Sequence, residues 1–379
     1  MSKRKEPLVA INALLVSGSA SYRSAGIHAY IAHLLRHLPP PDGLRYTVIV
    51  GRASRLEGVA AQHRLPFSTE RPALRILYEQ MALPLRLRRM GADLFHGMAF
   101  AGPLLSRIPQ LITIYDLSFL RYPHFFRRGN RLYLRTITRL SARRAKALIA
   151  ISRFTAEEIV ALLGVPRERI HIVYPGVEPR FRPLPRAEVE AFRRRKGLPE
   201  RYILHLGTLE PRKNVPTLIR AFARLRDPSL HLVLAGGKGW LYESIFAQVQ
   251  ALGLEDRVHF PGYVPAEEQP LWYNAATLFA SLSHYEGFGL PVLEAAACGL
   301  PLVAGNRSSL PEAAGEGALL VPPTDEEAVA EAMHRLLTDA ALREAVRQAG
   351  LAHSRRFTWE RAAQETATLY RQLLEGGRR

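Results

Sequence analysis

The 379-residue chain has a single cysteine, Cys298. One thiol excludes an internal disulfide and any zinc site assembled from several cysteines. A reducing compartment is the simplest setting for such a chain, and Cys298 itself reads as a small buried residue. No uncharged apolar run reaches the ~20 residues that a membrane-spanning helix needs. The longest candidates, such as Pro7 to Tyr22, are shorter and interrupted by Asn, Gly and Ser. There is no Asp-x-Asp and no His/Cys cluster with metal-ligand spacing, so no metal site is expected. Short repeats and low-complexity tracts are also missing. Most telling, no acidic residue occurs from Leu117 to Ala156.

What is present fits two globular domains. The length suits two domains of roughly 100–200 residues each, and 47% hydrophobic residues suffice for two cores and exclude a mostly disordered chain. The net charge of +18 is unevenly placed. Residues 1–180 hold 28 Lys and Arg against 11 Asp and Glu, a surplus of 17; the remainder holds 24 against 23, a surplus of 1. That asymmetry points to an anionic partner for the N-terminal half: a lipid surface, a phosphorylated acceptor or nucleic acid. Lys3-Arg4-Lys5, an apolar stretch and Ser17-Gly18-Ser19-Ala20 imitate a secretory signal. The preferred reading is a first buried strand running into a Gly/Ser loop and a helix, because the following segment continues that unit.

Apolar runs of strand length alternate with amphipathic stretches of helix length. Expected strands are Leu8–Ala13, Tyr46–Val50, Leu111–Tyr115, Ala147–Ile151 and His171–Val173, then Tyr202–Leu206, Leu230–Ala235, Val258–Phe260, Leu278–Ser281, Leu302–Ala304 and Leu319–Val321. Expected helices include Val215–Leu225 and Glu326–Leu337. The pattern predicts an α/β fold with parallel sheets covered on both faces. Linker chemistry falls at Tyr174-Pro175-Gly176-Val177 and the prolines 179, 183 and 185, where the charge also shifts.

The most informative segment runs from His284 to Glu294. It follows a strand and opens a helix, with Pro291 in the first turn and Gly299 as the stop. Gly287 and Gly289 let backbone approach a ligand, and the helix N-terminus suits a diphosphate. Glu286 lies in the loop and Glu294 one turn into the helix. Spacing alone favours a solvated or structural pair; the glycines and the helix start shift the reading toward function. Arg212 and Lys213 sit at another helix start, where cations oppose the dipole, so a bound anion explains them better than a solvated basic pair.

These segments resemble the retaining glycosyltransferases with the E-x7-E motif and the GT-B fold. The resemblance is carried also by Gly207-Thr208-Leu209-Glu210-Pro211-Arg212-Lys213-Asn214, Ala235-Gly236-Gly237-Lys238-Gly239-Trp240, Val258-His259-Phe260-Pro261-Gly262-Tyr263-Val264, Gly26-Ile27, Tyr115 to Leu120, Ser308 to Glu312 and Phe357 to Glu360. It implies two Rossmann-like domains facing each other across a cleft: residues 1–175 on the acceptor side, 176–357 for the nucleotide sugar, and a helix over 358–379 returning to the first. Within that family the set is most similar to bacterial mannosyltransferases that build polysaccharides and glycolipids.

The resemblance implies roles. Glu286 would hold the donor sugar and Glu294 the ribose. Backbone N–H groups over Gly287, Phe288, Gly289 and Leu290 would hold sugar and phosphate. Arg212 and Lys213 would neutralise the leaving diphosphate, a role that the chemistry of a departing anion also favours. Gly26 would lie near the diphosphate, and Val258 would border the base. The family often has histidine where Tyr115 stands, so Tyr115 is a weaker donor contact and Asp116 becomes a candidate for donor or acceptor hydroxyls. No cofactor is expected; the donor is a nucleoside diphosphate sugar, best fitted by GDP-mannose, and the acceptor a glycan or lipid-linked hydroxyl. Without Asp-x-Asp, the cations and helix N–H groups would replace a metal.

Arg127, Arg131, Arg135, Arg139 and Arg143 recur every four residues and form one stripe on a helix. Leu132, Tyr133, Ile137 and Leu140 are expected on the face that packs on the domain. The stripe would meet an anionic membrane, and no nucleic-acid fold or aromatic stacking pattern accompanies it. A solvated basic face is the plainer alternative. The expected location is cytoplasmic, including the inner face of the cell membrane. Two other functions stay open: a sugar-nucleotide epimerase of GT-B shape, and a non-catalytic basic protein binding membrane or nucleic acid.

Overall fold

The computed structural model of the chain describes residues 6–16, 26–123 apart from 53, 55, 57 and 60, 126, 128–237, 239 and 243–376. Lys3-Arg4-Lys5, Ser17 to Ala20, Arg127, Lys238 and Trp240 lie outside the described residues. The chain divides into two compact units, Met1–Gly176 with Trp359–Arg379, and Val177–Thr358. Each is a Rossmann-like layer of parallel strands between helices.

The first unit has seven strands: β1 (Leu8–Asn12), β2 (Arg45–Val50), β3 (Gln62–Arg64), β4 (Leu94–Gly97), β5 (Gln110–Ile114), β6 (Ala147–Ala150) and β7 (Ile170–Ile172). All pair in parallel, in the order β3-β2-β1-β4-β5-β6-β7. The second unit has β8 (Arg201–Leu206), β9 (Leu230–Ala235), β10 (Val258–Gly262), β11 (Leu278–Ser281), β12 (Leu302–Gly305) and β13 (Ala318–Val321). Their order is β10-β9-β8-β11-β12-β13, again parallel. In both sheets the chain starts at the middle, winds to one edge, then crosses back. The reversal falls between β1 and β4, and between β8 and β11. Loops leaving such neighbours diverge to opposite faces and open a crevice at the carboxyl ends.

All eleven expected strands are present, with ends shifted by a residue or two. Their continuous apolar character follows from burial on both faces. β3 and β4 escape the same reading. β3 is a polar, partly exposed Gln-His-Arg segment at the sheet edge. β4 reads Leu-Phe-His-Gly, and its imidazole sits in the sheet centre without exposure. His96 is satisfied there, with Nδ1 2.7 Å from the Tyr370 hydroxyl and Nε2 2.8 Å from Thr113 Oγ1. Burial pushes its pKa down to about 3, so it stays neutral.

Tyr370 belongs to the last helix, Trp359–Glu375, which packs in the first unit. Trp359 stacks on His33 at 5.2 Å and meets Tyr30 edge-on at 5.4 Å. Lys146 Nζ donates to the Leu373 carbonyl at 2.6 Å. Ring contacts at the start and a lysine–carbonyl bond at the end therefore locate the helix, while Ala362, Ala363, Ala367 and Leu369 bury its apolar stripe.

One expectation is corrected on the helix Arg128–Arg144. Ile137 is buried, but Leu132 and Leu140 are 66% and 41% exposed. The inward face is instead filled by Thr138, Ser141 and Ala142 beside Ile137, so Leu132 and Leu140 lie on the outer side among the arginines. Among the described residues no helix is long and apolar enough to cross a membrane, and no group of three His, Cys, Asp or Glu gathers to hold a metal.

Tyr370→Phe removes one partner of a buried imidazole and leaves a polar nitrogen unpaired. The expected cost is about 1–3 kcal/mol, read as a lower melting temperature in differential scanning calorimetry with far-ultraviolet dichroism unchanged. An unaltered melting profile would show that this contact does not hold the last helix.

Candidate functional site

The site grows from the reversal point of the second sheet. The loop leaving β8 ends in a tight turn, Pro211–Lys213, and passes through Asn214 at φ +54° into the helix Val215–Ala223. Asn214 tolerates that left-handed backbone and is fixed by its side chain, which donates to the Pro323 carbonyl at 2.6 Å and accepts from Thr217 Oγ1 at 2.8 Å. The loop leaving β11 runs to Gly289 and opens the helix Leu290–Ala297. His284 N–H donates to the Arg212 carbonyl at 2.9 Å and ties the two loops together.

Two glycines are sterically required here. A Cβ on Gly236, at φ +147°, would lie 1.9 Å from the Gly207 carbonyl oxygen, so only glycine lets the loop after β9 press on the loop after β8. Gly289 caps its helix at φ +103°, and a Cβ there would meet Leu310 at 2.9 Å. That helix start has no side-chain cap, and Pro291 in its first turn carries no N–H.

The loops bring four charged side chains into one network. Arg212 Nη1 donates to Glu286 Oε2 at 2.8 Å and to the Tyr285 carbonyl at 2.7 Å. Its Nε and Nη2 donate to Glu210 Oε1 at 3.1 and 2.7 Å. Lys213 Nζ donates to Glu286 Oε1 at 2.6 Å, and Ser283 Oγ donates to the same oxygen at 2.7 Å. Ser308 and Ser309 hold the Glu286 backbone: its N–H donates to Ser308 Oγ at 3.0 Å and its carbonyl accepts from Ser309 Oγ at 2.8 Å. The Glu286 side chain is 12% exposed. Burial acts to raise its pKa, but the Arg212 and Lys213 charges and the bonds from Lys213 and Ser283 outweigh that and hold it well below the usual carboxylate range. Glu286 is therefore an ionised acceptor at any physiological pH.

Glu294 has the opposite environment. It lies in the helix Leu290–Ala297 and accepts a bond from the Tyr273 hydroxyl at 2.9 Å. Burial pushes its pKa up to about 7, against the Tyr273 bond, with Glu178 adding to the rise and Arg180 opposing it. Two carboxylates eight residues apart thus differ in charge state near neutrality.

The remaining expected residues are placed as follows. Phe288 is buried against Phe357, with ring centroids 5.5 Å apart, and Leu290 begins the helix. Val258 is buried and lines a cleft of about 460 Å³ with Phe260, Tyr263 and Trp272. None of Arg212, Lys213, Glu286 or Glu294 lines that cleft. In the first unit, Gly26 is the exposed first residue of the helix Gly26–His37, with open space where a Cβ would stand. Tyr115 is buried, and its hydroxyl donates to the Met98 carbonyl at 2.7 Å. Asp116 is partly exposed and accepts from Ser118 N–H and Oγ at 2.9 and 2.7 Å.

Sequence reasoning missed Glu210, Ser283, Ser308, Ser309 and Tyr273 as site residues. Glu210 stood beside the cation pair and Ser283 three residues before Glu286, so proximity was a signal for these two. The serines at 308 and 309 and Tyr273 reach the site only through the sheet order.

The comparisons with known proteins agree with this geometry. Residues 188–353 match the family model for glycosyl transferases group 1, and residues 24–181 match glycosyltransferase family 4. An O-antigen chain mannosyltransferase B of Escherichia coli is 33% identical over 288 residues, covering 74% of this chain and 74% of the relative. A D-inositol 3-phosphate glycosyltransferase of Catenulispora acidiphila is 34% identical over 249 residues, covering 62% of this chain and 59% of the relative. Among solved structures, sucrose-phosphate synthase from Thermosynechococcus elongatus aligns with TM-score 0.79 at 23% identity over 98% of this chain and 100% of that one. The Anabaena protein HepE in complex with UDP-glucose aligns with TM-score 0.74 at 20% identity over 96% and 99%. The chain belongs to the glycosyltransferases of group 1 and family 4 and has the GT-B fold.

Proposed function

We propose that the protein is a retaining, metal-independent hexosyltransferase that moves mannose from GDP-mannose to a hydroxyl of a glycan or lipid-linked acceptor. The observation that carries the proposal is the Glu286 carboxylate held between Arg212 and Lys213 beside an uncapped helix start. The two cations have Glu286 and Glu210 as counter-anions. A donor diphosphate supplies a further anion, and the helix N-terminus adds backbone N–H groups to hold it. As the bond to the sugar breaks, negative charge grows on the leaving diphosphate and Arg212 and Lys213 stabilise it. Glu286, ionised and rigidly held, orients the sugar hydroxyls and stabilises the cation-like ring, while the acceptor attacks from the face the diphosphate leaves. Glu294 serves the ribose, and Val258 the base. On the first unit we assign Gly26 and Asp116 to ligand contact; Tyr115, already bonded to Met98, supports the strand end that carries Asp116. Mannose is assigned on the names of two relatives, the O-antigen enzyme and the serotype-specific mannosyltransferase WbdA of Escherichia coli, 30% identical over 239 residues; its GDP carrier rests on the family resemblance of the sequence.

We propose also that the first unit works against an anionic lipid surface on the inner face of the cell membrane. Arg135, Arg143 and Arg144 are exposed around Leu132 and Leu140. A second helical run, Pro72–Met90 with a π turn at Tyr78–Ala82, exposes Leu77, Met81 and Leu85 at 59–61% among the exposed Arg71, Arg88 and Arg89. Apolar side chains ringed by arginines suit the headgroup boundary of a bilayer.

Incubation with a panel of nucleotide sugars and an acceptor extract should release a nucleoside diphosphate, in full in the presence of a chelator. Conversion of one nucleotide sugar into another without release would instead indicate an epimerase. Activity lost to the chelator and restored by Mg²⁺ or Mn²⁺ would sink the metal-independent reading.

Glu286→Gln is expected to slow turnover by on the order of 10²–10³ with nucleotide affinity little changed, whereas Glu294→Gln mainly weakens nucleotide binding. Because Glu294 ionises at about pH 7, and an ionised carboxylate is the stronger acceptor, calorimetric affinity for the nucleoside diphosphate should rise from about pH 6 to about pH 8. Glu294→Gln should flatten the part of that rise owed to this residue. A Glu286→Gln protein that cannot bind nucleotide, beside an unaffected Glu294→Gln, would reverse the two assignments.

In vesicle sedimentation the protein should bind anionic but not neutral vesicles, and release as salt is raised. Replacing Leu77, Met81 and Leu85 by Ser should weaken the binding further at constant charge. Equal, salt-insensitive binding to both vesicle types would count against the docking face.

A further inference from the structure

His205 stands one residue before the end of β8 and is 2% exposed. Its Nδ1 is 3.0 Å from the Ala280 carbonyl on the neighbouring β11. A carbonyl only accepts, so Nδ1 carries the proton and, in the neutral ring, Nε2 is a bare lone pair. That nitrogen is buried and has no hydrogen-bond partner. A buried acceptor left unpaired costs free energy, so its retention asks for a partner that arrives in another state of the site.

The nearest donor chemistry is Lys213. A Cβ placed on Gly207 would lie 3.7 Å from His205 Nε2, 3.6 Å from Lys213 Cε and 3.8 Å from Lys213 Nζ. The imidazole edge and the ammonium thus lie against the same glycine. Lys213 and Glu286 both act electrostatically on the ring; burial first, then Lys213, push its pKa down to about 4, against the Ala280 bond and Glu286. The ring is neutral whenever the enzyme works.

We infer that His205 is a positioning residue: when a diphosphate enters, the Lys213 ammonium divides its three N–H donors among the phosphate, Glu286 and His205 Nε2. An ammonium on a flexible stem is otherwise poorly aimed, and three acceptors in fixed directions would define where its charge points. This rests on the donor reading of Arg212 and Lys213 given above.

The test uses His205→Asn, which keeps a donor in place of Nδ1 for Ala280 and lacks the Nε2 acceptor. It is measured alone and in a Lys213→Ala background with the full-length enzyme and nucleotide sugar. Alone, His205→Asn should lower kcat/KM by about tenfold; in the Lys213→Ala background it should have no further effect, since residues acting through one another are not additive. Equal fold losses in both backgrounds, or no loss in the first, overturn the inference and leave the glycosyl-transfer reading standing. Unchanged turnover in Lys213→Ala itself overturns the donor reading and this inference with it. Should the asparagine variant fold poorly, the ¹⁵N resonance of the His205 imidazole Nε2 supplies the answer in otherwise native protein. Adding GDP or UDP should move it toward the hydrogen-bonded range, and should not do so in Lys213→Ala; an unmoved resonance in saturated wild-type protein refutes the contact.

Discussion

Placing the Glu286 carboxylate between Arg212 and Lys213 is the constraint around which the second unit is arranged. Charges this buried are tolerable only when paired and hydrogen-bonded, and removing one member leaves its partners uncompensated at a cost of about 3–5 kcal/mol. Pairing them requires two loops that are about seventy residues apart in sequence. The sheet achieves this by reversing between β8 and β11, so that adjacent strands deliver one loop each. Local backbone then has to follow: Gly236 gives the close approach, Asn214 turns the first loop, and Ser308 and Ser309 hold Glu286 by its main chain. Arg212 and Lys213 balance Glu210 and Glu286 one for one, so the network carries no net charge. On the proposed function, a donor diphosphate shares cations already engaged, and the uncapped helix start supplies attraction that the balanced network does not.

Glu286 and Glu294 show how environment, not spacing, sets the charge of two carboxylates. Both are largely screened from solvent, and desolvation alone acts to raise the pKa of both. Two cations reverse the outcome for Glu286. Glu294 has a phenol donor and a neighbouring Glu178, and its titration lands near neutrality. A carboxylate locked in its ionised form cannot deliver a proton, and pairing with two cations makes it a poor base, which agrees with the proposed role in electrostatic stabilisation and hydroxyl binding. On the proposed ribose-binding role of Glu294, a carboxyl that titrates near pH 7 makes affinity, rather than the chemical step, the pH-sensitive quantity.

Legibility in the sequence followed burial. Strands covered on both faces, such as Leu230–Ala235, are continuous apolar runs and stand out. β4 hides because the sheet centre accepts His96 once Tyr370 and Thr113 satisfy it, and that satisfaction comes from a helix 274 residues away. Leu132 and Leu140 were read as inward because apolar side chains usually are. The inner face of that helix is filled instead by Ile137 and small residues. At the site, residue types and helix starts marked Arg212, Lys213, Glu286 and Glu294. The pairing of Arg212 with both Glu210 and Glu286 was not legible, since it depends on which strands are neighbours. His205 was hidden inside a strand pattern, where an unpaired nitrogen has no signature at all.

The two units share a sheet order yet place their charge differently, and this asymmetry has a physical consequence. The second unit, with nearly balanced charge, concentrates four ionic groups inside a crevice. There screening by salt is weak, and Arg212 and Glu286 are each held by several bonds. The first unit carries most of the surplus positive charge, and at Arg135, Arg143 and Arg144 it lies outside, where charges more than about 8 Å apart are largely screened at physiological ionic strength. Such exposed arginines contribute little to stability; their field acts on partners. An interior network favours orientation of a small ligand and is insensitive to salt, while an exterior array favours attraction to a large anionic surface and depends strongly on it. On the proposed function, the second unit holds a soluble nucleotide sugar by geometry and the first meets an acceptor-bearing surface by net field, with salt as the variable that separates the two.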